Sequence, residues 1–232
     1  MTDVRRILVV VAHPDDAEFG CAGSVARWID EGCEVFYCLF TSGNRGSSDP
    51  TMTPERLAVI REEEQRAAAL SLGVKEILFL GYPDGDLEDT RDGRRDAVRA
   101  IRRFRPDRLV TQSPFPSLNP YSGHRDHRNA GRLALDAVYP YARDRLHFPE
   151  VLAEGYEPHK VREVYLMGYP EPDTFVDTTA YIDRKLAALR CHASQVTDFP
   201  AVEARVRQFN ADVGKPHGFA YAEGFRLIEL PR

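Results

Sequence analysis

The sequence predicts an α/β protein built on a mostly parallel sheet, and three observations indicate this class. The first is a continuous apolar, β-branched run over residues 7–12, which is typical of a strand buried on both faces. The second is the helical spacing of the apolar residues that follow it, Ala22, Val25, Ala26 and Ile29. The third is the repeated strand–helix alternation in the first half of the chain, which implies right-handed crossovers. We therefore expect a Rossmann-like three-layer sandwich.

The remaining elements of the first half follow from similar signals. Thr53 and Pro54 are a favourable N-cap and first helical position, so a helix begins there and ends near Gly73. A basic helix is predicted over residues 94–103, before Pro106. Further strands are predicted at residues 35–41, 77–80 and 109–112.

The second half of the chain is less regular. Strands are predicted at residues 164–167, 175–177 and 225–230, and helices at 181–192 and 202–209. We expect a single domain over residues 1–232, with a regular α/β part at 1–140 and a less regular part at 141–232.

Composition excludes several classes of protein. Hydrophobic residues make up 43% and charged residues 29% of the 232 residues, as in an ordinary globular protein. The net charge is -5 and the basic stretch 94–105 is interrupted by Asp96 and apolar residues, so we expect no nucleic-acid partner. The N-terminal apolar run is too short to span a membrane and precedes no signal cleavage site, so we expect a cytoplasmic protein without a membrane partner. None of the four cysteines forms a CxxC pair, which argues against a thiolate zinc site.

Ligands of parallel sheets bind beyond the carboxyl ends of the strands, which selects four loops at residues 13–20, 42–52, 81–88 and 113–126. The first of these loops opens with His13-Pro14-Asp15-Asp16. Clustered carboxylates repel each other unless a counter-charge is present, and a divalent metal supplies one. His13 and Asp16 are three residues apart in a turn, so both can converge on one ion. Asp15 then remains free to act on a metal-bound water.

The loop after the fourth predicted strand supplies a second cluster, Gly123-His124-Arg125-Asp126-His127. Two histidines three residues apart at the start of a helix can face the same way. One imidazole completes a set of two histidines and one carboxylate, and the other lies nearby as an acid or a hydrogen-bond donor. Three protein ligands with an open position for water are the pattern of catalytic zinc.

These motifs resemble those of a known family. The stretch from Ala12 to Asp16 followed by Glu18, Gly20, Cys21 and Gly23, together with His124-x-x-His127, is similar to the LmbE-like (PIG-L) amide deacetylases. The similarity extends to Arg61-Glu62-Glu63-Glu64, Gly81-Tyr82-Pro83-Asp84-Gly85, His192-Ala193-Ser194-Gln195 and Tyr221-Ala222-Glu223-Gly224-Phe225-Arg226. The resemblance therefore covers nearly the whole chain.

The resemblance implies hydrolysis of an N-acyl, chiefly N-acetyl, amide in an N-acetylglucosamine-type sugar or glycoconjugate. It implies that His13, Asp16 and His127 hold one zinc ion per chain. It also implies that Asp15 is the general base, and that His124 stabilises the oxyanion or donates a proton.

Four further residues are candidates for contact with the substrate or with the ligands, and each has a structural alternative. Arg61 could contact substrate or pair with Glu64 or Gln65 in its own helix. Asp126 could orient a histidine or stabilise a helix N-terminus. Asp84 is expected to shape a turn near the pocket, and His192 could serve as a partner at a helix C-terminus.

Two other functions remain open at this level. Two histidines and one carboxylate also form the facial triad of non-haem Fe(II) enzymes, although those place His-x-Asp close together, whereas here the spacing is His-x-x-Asp. Gly20-x-x-Gly23 after the first strand suggests a non-catalytic nucleotide- or sugar-binding module, but GxGxxG and GxxxxGK[ST] are absent there. The chain is also compatible with a homo-oligomer, because an exposed apolar patch is predicted at Tyr139, Pro140, Tyr141 and Phe148.

Overall fold

A computed structural model describes residues 4–115 and 123–231 of the chain. Its centre is a sheet of seven strands: β1 (Arg6–Val11), β2 (Glu34–Thr41), β3 (Glu76–Tyr82), β4 (Arg108–Gln112), β5 (Glu163–Met167), β6 (Thr174–Asp177) and β7 (Ala222–Glu229). The strand order is β3-β2-β1-β4-β5-β7-β6. Strands β1 to β5 are parallel, and β7 runs antiparallel to both β5 and β6. The predicted mostly parallel α/β sheet is confirmed, and strands from both halves of the chain share it.

Helices cover both faces of this sheet. They are α1 (Asp16–Asp30), α2 (Pro54–Leu72), α3 (Arg91–Phe104), α4 (Arg125–Asp136), α5 (Pro149–Ala153), α6 (Ile182–Arg190) and α7 (Phe199–Gly214). A π-helical turn at Ala137–Tyr141 extends α4, and a 3-10 turn at Lys215–His217 follows α7. One apolar cluster joins the sheet to α3 and α4, and a second joins it to α1, α2 and α6. The result is the three-layer arrangement that the sequence predicts.

Strand β1 lies between these two clusters. Ile7, Val9 and Val11 face the α1 side, whereas Leu8 and Val10 face the α3 side, and all five are essentially inaccessible. Burying each such side chain stabilises the fold by roughly 1.5–3 kcal/mol. Burial on both faces explains why the sequence of this strand is apolar throughout instead of alternating.

Local capping signals in α2 act as predicted. The side chain of Thr53 accepts a hydrogen bond from the backbone N–H of Arg56, and Pro54 is the first helical residue. The helix ends at Gly73, whose φ of 93° lies in the left-handed region that favours glycine.

Three details differ from the sequence prediction. Helix α1 begins at Asp16, inside the first polar motif, and not near Ala22. Helix α5 and the π-helical turn were not predicted. The predicted exposed patch is wrong for Phe148, which is buried and packs against Tyr141, while Tyr139 remains exposed. Phe148 has a left-handed backbone (φ 52°), and its ring belongs to the apolar cluster on the α3 side of the sheet.

The topology places four strand ends side by side. Strands β3, β2, β1 and β4 are neighbours and parallel, so the loops after them open at the same edge. Part of the loop after β4, residues 116–122, lies outside the described residues. Within the described ranges, no helix combines the length and apolar character needed to cross a membrane. Cys21 and Cys38 are buried among apolar residues, as expected for small core side chains.

Candidate active site

A cleft of about 870 Å³ opens at the carboxyl edge of the sheet. The two predicted motifs meet on one of its walls, although they are more than a hundred residues apart in sequence. Polar residues lining the cleft include His13, Asp15, Asp16, Arg61, Asp84, His124 and His127. On helix α7, Val202, Val206 and Phe209 form an apolar wall, and Arg205 and Asn210 of the same helix also line the cleft. The predicted site residues are thus gathered around one cavity, apart from Asp126 and His192, which lie behind it.

The close packing of α4 on β4 sets the position of the second motif. A Cβ atom at Gly131 would lie 2.1 Å from the carbonyl oxygen of Gln112, so only glycine permits this approach. The side chain of Gln112 in turn accepts a hydrogen bond from the N–H of Ala12, at the end of β1. These contacts bring His127, one turn before Gly131, next to His13.

Three donor groups lie at the spacing of one metal ion. Nδ1 of His13 is 3.2 Å from Nε2 of His127, which is 3.0 Å from Oδ1 of Asp16. The other oxygen of Asp16 is 3.4 Å from Nδ1 of His13. A tetrahedral zinc ion with bonds of about 2.0–2.1 Å separates its ligand atoms by roughly 3.3 Å. The ring nitrogens of His13 and His127 and the carboxylate of Asp16 are therefore close neighbours at the cleft, with a different oxygen of Asp16 facing each ring.

The opposite nitrogen of His13 meets two other carboxylates. Its Nε2 is 3.1 Å from Oδ1 of Asp84 and 3.2 Å from Oδ2 of the fully buried Asp126. Asp126 also accepts hydrogen bonds from the N–H groups of Gly85 (2.7 Å) and Leu87 (3.3 Å). Such partners hold a proton on Nε2, so Nδ1 is the nitrogen that a metal ion would take.

The charges around His13 favour a cation. Burial lowers the pKa of His13, but hydrogen bonds with Asp126, Asp16 and Asp84 outweigh it and raise the pKa to about 12. Although burial opposes it, contact with His127 and His13 holds the pKa of Asp16 well below its usual range. By the same balance, His13 lowers the pKa of Asp84 to about 2. The carboxylates are therefore ionised, and positive charge at this point is strongly stabilised.

Two alternative donor sets share His13. One is formed with His124 and His127, and the other with Asp84 and Asp126. In the first, Nδ1 of His124 accepts the backbone N–H of Asp126 at 3.2 Å, so His124 could join this set only through Nε2. In the second, Asp126 lies behind the cleft and its oxygens accept backbone N–H groups. The set of His13, Asp16 and His127 combines compact geometry with access to the cleft.

Asp15 precedes α1 with a left-handed backbone, φ 83°. An aspartate at this position ordinarily caps its helix, but the side chain of Asp15 makes no cap hydrogen bond. Instead it lines the cleft, with Oδ2 3.1 Å from Nη2 of Arg61. Burial raises the pKa of Asp15 to about 6, despite the opposing effect of Arg61. A carboxylate of this kind can take up and release a proton near neutral pH.

His124 is the N-cap of α4, and the first turn of this helix presents His127. Because Nδ1 of His124 accepts a backbone N–H, its proton lies on Nε2. Partial burial and the nearby His13 and His127 lower the pKa of His124, so the ring is neutral at pH 7. His124 can therefore donate a hydrogen bond from Nε2 into the cleft.

The structure gives Arg61 and His192 partners outside their own helices, and Arg61 also lines the cleft. Arg61 is buried and donates to the carbonyl oxygens of Gly43 and Pro14, both at 2.7 Å, and does not pair within its helix. His192 is fully buried, and its Nε2 lies 3.2 Å from Oε2 of Glu18. Glu18 and Gln65 were not predicted as site residues. Glu18 could have been identified from the sequence, because it belongs to the first motif. The only sequence feature that could have identified Gln65 is its position one helical turn after Arg61.

Comparison with known proteins identifies the family. The sequence profile of the PIG-L family, described as GlcNAc-PI de-N-acetylase, matches residues 8–138, which carry both motifs. The chain belongs to the PIG-L family. Diacetylchitobiose deacetylase of Thermococcus kodakarensis is 35% identical over 97% of this PIG-L chain and 84% of its own length.

Solved structures extend the comparison. The N,N'-diacetylchitobiose deacetylase from Pyrococcus horikoshii, in complex with its inhibitor MPG, has a TM-score of 0.91 and 32% identity, covering 98% of this chain and 85% of its own. GalB, the 4-carboxy-2-hydroxymuconate hydratase from Pseudomonas putida KT2440, has a TM-score of 0.82 and 26% identity. The match covers 98% of this chain and 97% of the GalB chain. The PIG-L chain thus shares its architecture with proteins of two named activities, of which the deacetylases are the more similar in sequence.

Proposed function

We propose that this protein is a zinc-dependent deacetylase that hydrolyses the N-acetyl amide of an amino sugar bearing a further substituent. The observation that carries the proposal is the convergence of His13, Asp16 and His127 at 3.0–3.4 Å, with Asp15 beside them in the cleft. Membership of the PIG-L family and the similarity to diacetylchitobiose deacetylases support it.

His13, Asp16 and His127 would hold the metal through Nδ1, a carboxylate oxygen and Nε2. Nitrogen and carboxylate donors in a three-ligand set with an open position suit zinc in a hydrolase. When bound, the ion supplies a Lewis acid for the amide carbonyl and lowers the pKa of water enough to form hydroxide near neutral pH.

The side chains around the donors divide the remaining chemistry. Asp15 accepts the proton of the attacking water on its carboxylate, for which a pKa of about 6 is well matched. His124 directs Nε2–H toward the carbonyl oxygen, where negative charge develops in the transition state. The carboxylic acid of Asp15 can then return the proton to the leaving nitrogen as the C–N bond breaks.

The cleft suits a substrate larger than a free monosaccharide. Its volume of about 870 Å³ lies in the upper part of the range of small-molecule sites, about 300–1,000 Å³. Most of the polar groups lie at the side of the proposed metal, and α7 contributes Val202, Val206 and Phe209 beside Arg205 and Asn210. We expect the acetamido group at the polar end and the substituent of the sugar against the apolar wall.

The test combines metal analysis with product detection. The zinc content of purified protein is measured beside that of His13→Ala, and acetate and free amine are quantified with N-acetylglucosamine and with N,N'-diacetylchitobiose. About one zinc per chain, lost in the variant, with equal amounts of acetate and amine, is the expected result. Metal without either product on any N-acetyl sugar would refute the deacetylase assignment.

The same preparations separate the competing functions. Loss of a conjugated substrate's absorbance without acetate release would indicate a hydratase of the GalB type. Activity that depends on Fe(II) and oxygen, and not on zinc, would indicate a non-haem iron enzyme. Nucleotide binding that needs no metal would indicate a binding module.

A further inference from the structure

Two side chains of α2 hold both polar groups of one peptide unit, the one that joins Pro14 to Asp15. Nη2 of Arg61 donates to the carbonyl oxygen of Pro14 at 2.7 Å. The N–H of Asp15 donates to Oε1 of Gln65 at 3.0 Å. Arg61 and Gln65 are four residues apart and therefore lie on one face of the helix. The plane of this peptide is fixed from the side of α2, immediately before the carboxylate in the cleft.

Two more buried groups fix the orientation of Gln65. Its Nε2 donates to Oε1 of Glu18 at 3.0 Å, and Oε2 of Glu18 is 3.2 Å from Nε2 of His192. Gln65, Glu18 and His192 are all fully buried. A primary amide has a donor end and an acceptor end, so a carboxylate at Nε2 directs Oε1 toward Asp15.

His192 completes this chain of hydrogen bonds from behind. Its Nδ1 is buried and has no hydrogen-bond partner among the described residues. The polar contact of the ring is therefore the one at Nε2, where a proton is donated to Glu18. Burying a polar ring costs free energy unless the ring is hydrogen-bonded. The contact with Glu18 therefore offsets part of the cost of burying His192.

The backbone of Asp15 needs such support. A φ of 83° is unfavourable for any residue with a Cβ atom, and such conformations persist when the surroundings impose them. The conformation turns the carboxylate away from the end of α1, which it would otherwise cap, and into the cleft. The angle φ is the rotation about the bond between N and Cα of Asp15. The hydrogen bond at the N–H fixes the nitrogen end of that bond and therefore restrains φ.

We infer that Gln65, Glu18 and His192 form a positioning relay that holds Asp15 in its left-handed conformation and aims its carboxylate at the reacting water. The inference rests on the proposed function only for the role of Asp15. The three residues act through Asp15 and do not touch the substrate. Loss of the relay should therefore lower kcat and leave the metal and the ground-state affinity for substrate in place.

The primary variant is Gln65→Met, which keeps the length of the side chain and removes both its acceptor for the Asp15 N–H and its donor to Glu18. We expect kcat for deacetylation to fall about 10- to 100-fold, with KM and zinc content within about twofold of wild type. In the Asp15→Asn background the same substitution should cost nothing further, because effects that act through one residue are not additive. An unchanged kcat in folded, zinc-loaded Gln65→Met would overturn the inference. It would also be overturned if Gln65→Met lowered kcat by the same factor in Asp15→Asn as in wild type.

Glu18 provides a graded series, which also serves if Gln65→Met fails to fold. Glu18→Gln keeps an oxygen that can accept from Gln65, so we expect most of the turnover to remain. Glu18→Leu removes that acceptor, so it should reproduce the loss of Gln65→Met. Equal losses in Glu18→Gln and Glu18→Leu would contradict the role assigned to Gln65.

Arg102→Met is the matched control for simple destabilisation. Arg102 is as buried as the relay, and its guanidinium donates to the carbonyl oxygens of Tyr141, Ala142, Asp144 and His147, away from the cleft. We expect this variant to lower Tm while kcat per bound zinc stays unchanged. A similar fall of kcat per zinc in Arg102→Met would show that loss of stability alone accounts for the effect.

A measurement without substrate separates this inference from the proposed function. Hydrogen exchange of the Asp15 amide, followed by NMR, should be slow in wild type and at least about tenfold faster in Gln65→Met. If wild type hydrolyses no amide, the deacetylase assignment fails, but the exchange result still tests the relay. Identical protection of the Asp15 amide in both proteins would refute it.

Discussion

Nε2 of His13 and a carboxylate oxygen of Asp126 lie 3.2 Å apart, on the side of the imidazole opposite the nitrogen that faces His127. Asp126 is fully buried and is held by the N–H groups of Gly85 and Leu87. The contact keeps a proton on Nε2 of His13, so Nδ1 is the nitrogen available to the proposed metal ion. The second motif thus supplies both a proposed ligand, His127, and a residue that orients the ligand from the first motif.

Replacement of this carboxylate should weaken metal binding. For Asp126→Asn we expect zinc affinity to fall about 10- to 100-fold, because the amide no longer stabilises the proton on Nε2. Competition with a chelator measures the change. Asp136→Asn, at the other end of α4, is the control and should bind zinc like wild type. Equal affinity in Asp126→Asn and wild type would contradict the role of Asp126.

Asp15→Asn separates metal binding from proton transfer. The amide preserves shape but accepts no proton, so kcat should fall about 10²- to 10⁴-fold while zinc content stays at the wild-type level. Steady-state acetate release and metal analysis of the same sample provide the measurement. Full activity in this variant would remove Asp15 from the mechanism.

His124→Asn tests the proposed hydrogen-bond donor without removing the helix cap. Asparagine is a favourable N-cap residue, so the Tm of His124→Asn should change little. In His124→Ala the free energy of unfolding should fall by about 1 kcal/mol. Both variants lack the Nε2–H group and should lose roughly 10²- to 10³-fold in kcat. Thermal unfolding and turnover are measured together. Wild-type turnover in either variant would be incompatible with the role proposed for His124.

The affinity for zinc should depend on pH through His13. In the metal-free protein the pKa of His13 is raised to about 12, so its stabilising contribution is complete below about pH 6.5 and declines as pH rises toward the folded value. A metal ion at Nδ1 must displace this proton. We therefore expect affinity to rise about tenfold per pH unit between about pH 6 and 8. Competition titrations with a chelator, corrected for protonation of the chelator, measure the zinc affinity at each pH. An affinity that does not change with pH would contradict displacement of the His13 proton by the metal.

The apolar wall of the cleft should select for the substituent on the sugar. Phe209 is 66% exposed at the mouth of the cleft, and contact with a second ring would cover part of that surface. For Phe209→Ser we expect kcat/KM to fall about tenfold with N,N'-diacetylchitobiose and less than twofold with N-acetylglucosamine. Leu70→Ser, an exposed apolar residue on α2 that does not line the cleft, is the control. Equal losses on both substrates would place the substituent elsewhere.

Much of the fold and the chemistry of the site could be predicted from local sequence. The run at β1 is apolar throughout because both faces are buried, and that pattern survives in any single sequence. His13, Asp16, His124 and His127 stood out because parallel strands deliver their carboxyl ends to one edge, where polar side chains are otherwise costly.

The contacts behind the site were beyond sequence reasoning. Gln65, Glu18 and His192 come from α2, α1 and the segment after α6, and their contacts exist only once three elements are packed. Arg61 had an equally reasonable partner within its own helix, yet the structure gives it the carbonyl oxygens of Gly43 and Pro14. Phe148 was predicted to be exposed, because neither its burial nor its left-handed backbone leaves a trace in hydropathy.

Anomalous diffraction at the zinc edge from crystals of the zinc-loaded protein tests the central claim most directly. The account predicts one strong peak about 2.0–2.1 Å from Nδ1 of His13, an oxygen of Asp16 and Nε2 of His127, with Asp15 beside the open position. A peak between Nε2 of His13, Asp84 and Asp126, or no ordered zinc at the cleft, would contradict the assigned metal centre and the mechanism built on it.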